Sequence, residues 1–355
     1  MEIENNIPVP IAKAVAKRAR KPKGETKATS AASLITALKF ISLAQKPIGT
    51  PYQAHCIMYN NWCVAFDGVL TIGCRIEENI NACPKTFDLL AALQKCGEQF
   101  AITQLNEGTL SVKSGKFKAT IKCVPFSDIP QSGPDTPLTI INEEIKKAFD
   151  ALAWLATEGA TDAFCASVML QAQTCVATNR HVLLEYWHGL DMPPGIQLLI
   201  PRASVNAIVK SDRKLTNFGF SDNSATFFFE NDAFIKTQLF KDQYPNYQAI
   251  FAQSTGNVSP LPLDFFAGVD AVSPFSENKF VYLRGDKIMS HSAEELGAMF
   301  ELLGIPNDIA FNHEYLKAVE PHFKNTIFVE NQRAKLDKVF FSNGMIRGAL
   351  MAGGF

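Results

Sequence analysis

From residue 34 onward this 355-residue chain runs through one pattern three times. The pattern is an amphipathic helix, a group of short strands, a second helix and a three-strand meander. In the first round Leu34, Leu38 and Ile41 recur at i, i+4 and i+7, the spacing of one helix face. Strand-like runs follow at 55–59, 62–66 and 69–76, turning at Asn60-Asn61 and Asp67-Gly68. Pro84 is placed to open a second helix with Phe87, Leu90 and Ala91 on its apolar face, since proline suits the first helical position. A meander at 100–105, 109–113 and 116–124 completes the unit, which closes at Phe126–Pro130.

The second round has its helical stripe at Ile145, Phe149, Leu152 and Ala156, then strands through 164–172 and 175–186 around the polar turn Thr178-Asn179-Arg180. Pro201 opens its second helix, with Val205, Ile208 and Val209, and a meander at 217–220, 225–230 and 233–240 closes in Tyr244-Pro245-Asn246-Tyr247. The third round starts at Phe265, Phe266, Val269 and Val272 and continues with strands at 279–283 and 287–290. A helical insertion is expected around 294–303, and Asn312 should cap a helix carrying Tyr315, Leu316, Val319 and Phe323. The last meander spans 326–330, 336–341 and 345–351. The final turns at Ser114, Asn231 and Asn343 are 117 and 112 residues apart, a period that marks a repeat architecture.

Each copy joins an antiparallel sheet to two helices on one face, an α+β arrangement. The expected division is a tail at 1–29 and domains at 30–136, 137–255 and 256–355. Open sheet edges invite pairing. Copies within the chain should therefore pair edge to edge, leaving two outer edges for another subunit and a head-to-tail contact able to close into a ring.

The net charge is −1, but residues 1–29 alone carry +4, which leaves the body mildly acidic. That basic stretch (Lys13, Lys17, Arg18, Arg20, Lys21, Lys23, Lys27) reads as a flexible solvated tail, or more sharply as an arm that touches DNA. The eight cysteines fall between Cys56 and Cys175 without a C-x-x-C pair, which fits reduced thiols in a cytoplasmic protein rather than zinc or disulfides. No apolar run of about 18 residues and no signal peptide is present, so no membrane partner is expected. There is no H-E-x-x-H, G-x-S-x-G, Walker loop or G-x-G-x-x-G, and the six histidines form no metal pair. Cys175 with His181 could be drawn as nucleophile and base, but a core thiol and a turn histidine describe them better. Neither an enzymatic site nor a cofactor is expected.

In this order, inside a threefold repeat, Ala177-Thr178-Asn179-Arg180-His181 with Leu183, Tyr244-Pro245-Asn246-Tyr247, Phe311-Asn312-His313-Glu314-Tyr315 and the strand running to Phe355 resemble the bacterial sliding clamp, the β subunit of the replicative DNA polymerase. The resemblance covers about residues 30–355. It implies a processivity factor for DNA replication: two subunits, head to tail, in a homodimeric ring of six similar domains around double-stranded DNA, with helices facing the hole. Binding would be independent of base sequence, because backbone phosphates carry no base information. Basic residues on the expected helices are Lys39, Lys46, Lys85, Lys95, Lys146, Lys147, Arg202, Lys210, Arg213, Lys214, Lys317 and Lys324; the helix at 264–272 carries acids and no base.

The resemblance also implies a pocket for short peptides of DNA polymerase and the clamp loader. Carried over by motif, it would use Thr178, His181 and Leu183 with Cys165 nearby, Pro245 and Ile250 on one wall, and Asn312, Tyr315 and Met351 to Phe355 on the other, with Phe275 a weaker match. Two apolar anchors at about 1.5–3 kcal/mol each, less the cost of association, imply roughly micromolar affinity. Departures from the family are Arg180 where it usually has Gly, Val182 where it often has Arg, Ala352-Gly353-Gly354 in place of a Pro and a basic residue, and the extended tail. They suit a divergent phage or plasmid clamp. The competing reading is a structural or interaction protein of the same fold that never encircles DNA.

Overall fold

The computed structural model describes residues 31–97, 99–106, 108–254, 260–293, 296–305, 309–323, 325–331 and 335–353. The basic tail, Lys324 and Phe355 lie outside the described residues. The first copy contains α1 (Ala31–Ile41), α2 (Pro51–Ala54), β1 (Ile57–Tyr59), β2 (Trp62–Phe66), β3 (Leu70–Arg75), β4 (Cys83–Pro84), α3 (Thr86–Leu93) and the meander β5 (Ala101–Asn106), β6 (Thr109–Ser114), β7 (Phe117–Val124). The second contains β8 (Thr139–Ile140), α4 (Glu144–Leu152), β9 (Ser167–Gln171), β10 (Thr174–Thr178), β11 (Val182–Trp187), β12 (Gln197–Pro201) and α5 (Arg202–Lys210). It continues with β13 (Leu215–Phe220), β14 (Ser224–Phe229), β15 (Ala233–Gln238) and α6 (Gln248–Phe251). The third contains α7 (Phe265–Val272), β16 (Phe280–Arg284), β17 (Lys287–Met289), β18 (Met299–Glu301), β19 (Ile309–Asn312) and α8 (His313–Val319), then β20 (Asn325–Asn331), β21 (Lys335–Ser342) and β22 (Ile346–Met351).

The hairpin turns form where the sequence supplies residues that tolerate positive φ. Asn60 and Asn61 sit at φ 48° and 61°, and Asn231 and Asp232 at 61° and 57°. Two consecutive left-handed residues give the turn whose twist matches its flanking strands.

Two compact units result: residues up to Glu143 with Asn206–Leu239, and Glu144–Val205 with Phe240 onward. Each is built on a seven-stranded antiparallel sheet made from halves of two copies. In the first unit the order is β1-β2-β3-β15-β14-β13-β8, and β3 meets β15 with Gly73 opposite Phe234 and Ile72 opposite Ile235. In the second unit it is β12-β9-β10-β11-β22-β21-β20, and β11 meets β22 with Leu184 opposite Gly348. Two four-stranded sheets remain, β4-β7-β6-β5 in the first unit and β18-β17-β16-β19 in the second. The edge-to-edge pairing of copies expected from the repeat is present at both joins.

In the first unit Leu34, Leu38 and Ile41 of α1 are fully buried with Cys63, Ile72 and Cys74 of the sheet. In the second, Phe149 and Leu152 of α4 are buried along with Leu170, Cys175 and Leu184. There the alternate residues Met169, Val176 and Leu183 point to the other face, where they form a cluster with Leu199, Tyr244, Tyr247, Phe251, Phe340 and Ala349. All eight thiols are free and six are buried.

Three expectations are corrected. Pro84 and Pro201 end strands β4 and β12, and the helices start at Thr86 and Arg202. Proline suits a strand terminus as well as a first helical turn, and here the chain is extended before each helix. The buried face of α3 is Thr86, Leu89, Ala92 and Leu93 rather than Phe87, Leu90 and Ala91, because this helix is apolar on both sides and its periodicity cannot choose between them. The region expected to be a helical insertion holds the strand β18, whose Met299 and Phe300 pair with Met289 and Ile288. Strands β12 and β19 also escaped the sequence reading.

Candidate functional site

The turn between β10 and β11 is fixed by its own side chains. Asn179 Oδ1 accepts from the backbone N–H groups of His181 (3.0 Å) and Val182 (2.7 Å). Thr178 Oγ1 accepts from Arg180 N–H at 3.0 Å and donates to Val182 O at 2.8 Å. These bonds hold Arg180 at φ 74°, a region that glycine occupies more easily. The Arg180 guanidinium pairs with Asp162 and lies 5.7 Å from the Phe164 ring centroid.

His181, next in the chain, stacks its ring on Tyr315 with centroids 5.8 Å apart and planes 21° apart. Tyr315 is held there because Asn312 caps α8, its Oδ1 accepting from the N–H groups of Glu314 (2.9 Å) and Tyr315 (3.4 Å). Met351 N–H donates to His181 O at 2.8 Å, and Gly353 N–H to Ala310 O at 2.8 Å, which ties the end of β22 to both hairpin and β19.

Beneath this lip Leu183 enters the aromatic cluster on the face of the sheet opposite α4, where Phe251 and Ile250 of α6 also lie. Phe164, Tyr244, Tyr247, Phe251 and Phe340 follow one another with centroid separations of 6.0 to 6.4 Å. Ile250 packs against the cluster half-buried, and Pro245 is exposed at the corner above it. Tyr247 OH accepts from Gln171 Nε2 (2.7 Å) and Gln248 Nε2 (2.8 Å) and donates to Glu185 Oε1 at 2.9 Å. Burial pushes the Tyr244 and Tyr247 phenols up, so both stay protonated, and Tyr247 donates.

Thr178, His181, Asn312, Tyr315 and Met351 thus meet through hydrogen bonds and one ring stack, and Leu183 and Ile250 share the apolar floor. Cys165 is buried in a short turn at Ala163–Cys165, and burial pushes its thiol up. Phe275 is 57% exposed, and among the described residues no hydrogen bond or ring contact joins it to this group. The sequence reading missed Phe164 and the pair Glu185–Arg347. A usable signal for that pair was present: each is an isolated charge inside an otherwise apolar strand.

Cys175 is fully buried in β10, and burial pushes its thiol well up, away from the nucleophilic thiolate. No cluster of metal-ligating residues is present among the described residues.

The basic candidates divide by environment. Lys39 in the last turn of α1, Lys46, Lys95 and Lys210 at the end of α5 are exposed and form no ion pair among the described residues. Lys85 pairs with Asp88 (3.6 Å), Lys147 with Glu144 (2.6 Å), Lys214 with Glu230 (3.8 Å) and Lys317 with Asp270 (2.6 Å). Arg213 lies over the Phe40 ring at 4.7 Å, while Lys146 and Arg202 are half-buried on α4 and α5.

Three helix–sheet copies that lend each other half-sheets define the sliding-clamp class of fold. Among solved structures the chain is similar to the DNA polymerase III subunit β of Pseudomonas aeruginosa, at 13% identity and TM-score 0.76, covering 92% of this chain and 99% of that one. The DNA polymerase sliding clamp of Caulobacter crescentus matches at 16% identity and TM-score 0.75 over 92% and 99%. The Helicobacter pylori β clamp bound to a DNA ligase peptide matches at 14% and 0.73 over the same shares. No family model matches the sequence, and no curated protein does. The backbone therefore carries the likeness, and this chain has the fold of the β sliding clamps. No helix among the described residues is long and apolar enough to cross a membrane.

Proposed function

We propose that this protein is a sliding clamp, a cytoplasmic processivity factor that closes as a homodimeric ring around duplex DNA. In this reading it holds a DNA polymerase, and is handled by a clamp loader, through the pocket beside the β10–β11 turn. The observation that carries the reading is the order of the sheets. β3 and β11 hold matching places in the first two copies, and each pairs with the last meander strand of the following copy, β15 or β22. The matching strands left over are β18 in the third copy and β7 in the first. Among the described residues β18 pairs only with β17, and β7 meets β4 only at Cys123 and Val124. A second chain, head to tail, supplies each missing neighbour.

The domain limits 30–136, 137–255 and 256–355 belong to this reading, as does the absence of any reaction of the protein's own. The exposed lysines of α1 and α5 supply attraction to phosphate, and topology supplies the hold. The test combines mass and topology. The chain should sediment at twice its 39.1 kDa mass, appear as open rings by electron microscopy, and after loading stay on circular but not linearised DNA at high salt. A monomer at every concentration would overturn the clamp reading in favour of an interaction protein that shares the fold.

A further inference from the structure

The two joins between copies inside the chain share one register, and it extends to β18 and β7, the strands with an open edge among the described residues. Leu70 and Val182 accept the innermost backbone bonds of their hairpins, from Asp67 N–H (3.1 Å) and Asn179 N–H (3.2 Å). Each lies opposite the fifth residue of the last meander strand in the following copy, Leu70 opposite Thr237 and Val182 opposite Leu350. In the third copy the same place is held by Ala298, which accepts from Ser290 N–H at 3.0 Å. The fifth residue of β7 is Ile121. The shared register therefore sets Ala298 opposite Ile121, and with it Met299 opposite Thr120, Phe300 opposite Ala119 and Glu301 opposite Lys118.

We propose that β18 of one chain pairs antiparallel with β7 of a second copy in this register, with Glu301 facing Lys118. The proposal rests on the ring reading and adds to it the residues that meet. Backbone groups, packing and charge each agree with it. Leu302 N–H donates to Asp286 O and Ser290 N–H to Ala298 O, so Met299 and Glu301 are the residues of β18 whose N–H and C=O face the open edge. On β7, Cys123 N–H donates to Gly108 O and Lys122 O accepts from Lys85 N–H, which leaves Lys118 and Thr120 with open backbone groups. Phe300 would meet the small Ala119, large against small, as Leu184 meets Gly348 at the matching place of the internal join. Lys118 lies directly opposite Lys113 in β6, an unfavourable like-charge pair. Both lysines are exposed and have no ion-pair partner among the described residues. Glu301 is exposed opposite Lys287, so the joined sheet would carry the row Lys287, Glu301, Lys118, Lys113 and bring a carboxylate to the lysine pair. Sliding by two residues loses this fit. One direction sets Phe300 against Phe117, and the other sets Met299 against Lys122, whose carbonyl is already taken.

Sedimentation of charge-reversed full-length chains tests the register. Both side chains are exposed, so the reversals leave the core untouched. Glu301→Lys and Lys118→Glu each set like charges together at both junctions of the ring, and should weaken dimerisation about tenfold or more. Mixed in equal amounts, the two variants should recover wild-type affinity, because their head-to-tail heterodimer has opposite charges at both junctions. The chain carrying both changes should dimerise as the wild type does. Cysteine pairing gives a second readout. Met299→Cys in one chain and Thr120→Cys in the other should form an intermolecular disulfide under mild oxidation by diamide, and Met299→Cys with Lys122→Cys should not. A dimeric wild type whose single variants dimerise equally well would overturn the register and leave the ring reading standing. So would weakened variants that mixing does not rescue, or a cross-link to position 122 in place of 120. A wild type that stays monomeric at every concentration would overturn the ring reading, and the register with it.

Discussion

Glu185 shows how one side chain joins the parts of the candidate site. It is 6% exposed, and it accepts from Thr174 Oγ1 (3.0 Å), Tyr247 OH (2.9 Å) and Arg347 Nε (2.5 Å). It thereby links β10, β22 and the Tyr244–Tyr247 corner. Glu185→Ala removes the buried acceptor of the Tyr247 phenol and leaves the Arg347 guanidinium only Gln248 Oε1, and should cost about 2–3 kcal/mol in denaturant unfolding. His188 gives the residue scale a pH dependence. Its Nδ1 accepts from Leu190 N–H and its Nε2 lies 3.3 Å from Gln171 O, which suits the neutral ring. Burial holds its pKa below the ordinary histidine value, and does the same for His313 and His322. The unfolded chain therefore takes up protons first as pH falls through about 6.5. Stability should be full above that pH and decline below it, so the urea midpoint should be lower at pH 5.5 than at pH 7.5. A His188→Gln variant should show a smaller decline.

The joins between copies are the elements on which the fold depends, and each carries a glycine beneath a large side chain. A Cβ on Gly73 would come within 2.5 Å of Phe234, and one on Gly348 within 2.3 Å of Phe341 and 2.6 Å of Leu184. Gly348→Val should destabilise by about 1–3 kcal/mol through overpacking, read as a lower melting temperature without loss of the antiparallel sheet signal in circular dichroism. Neither glycine announces this role in sequence, because Phe234 and Leu184 lie more than a hundred residues from Gly73 and Gly348, although Phe341 is only seven residues from Gly348. What could be read were local demands: Asn60-Asn61 and Asn231-Asp232 need positive φ, Asn312 needs two N–H groups to cap, and Leu34, Leu38 and Ile41 need one face. Unreadable were choices settled by distant neighbours. The buried side of α3 depends on what covers it, and the strand at Met299–Glu301 exists because β17 offers an edge. Thr178 to Leu183 could be named as candidate site residues because their turn is local. Phe164 was not, because only the folded chain brings it under Arg180.

At the scale of the whole molecule, this chain shares the fold of solved β sliding clamps at 13–16% identity, so the likeness rests on the path of the backbone rather than on side chains. The shared sheets carry a further consequence. Covalent boundaries and folding boundaries do not coincide in this chain, since β1–β3 complete their sheet with strands from the second copy and β20–β22 complete theirs with β9–β12. A single excised repeat would be a piece with a bare seam, prone to stick to whatever strand it met. Severing the backbone at a surface link between repeats would leave two fragments whose matching seams are on each other, a protein divisible in sequence but not in structure.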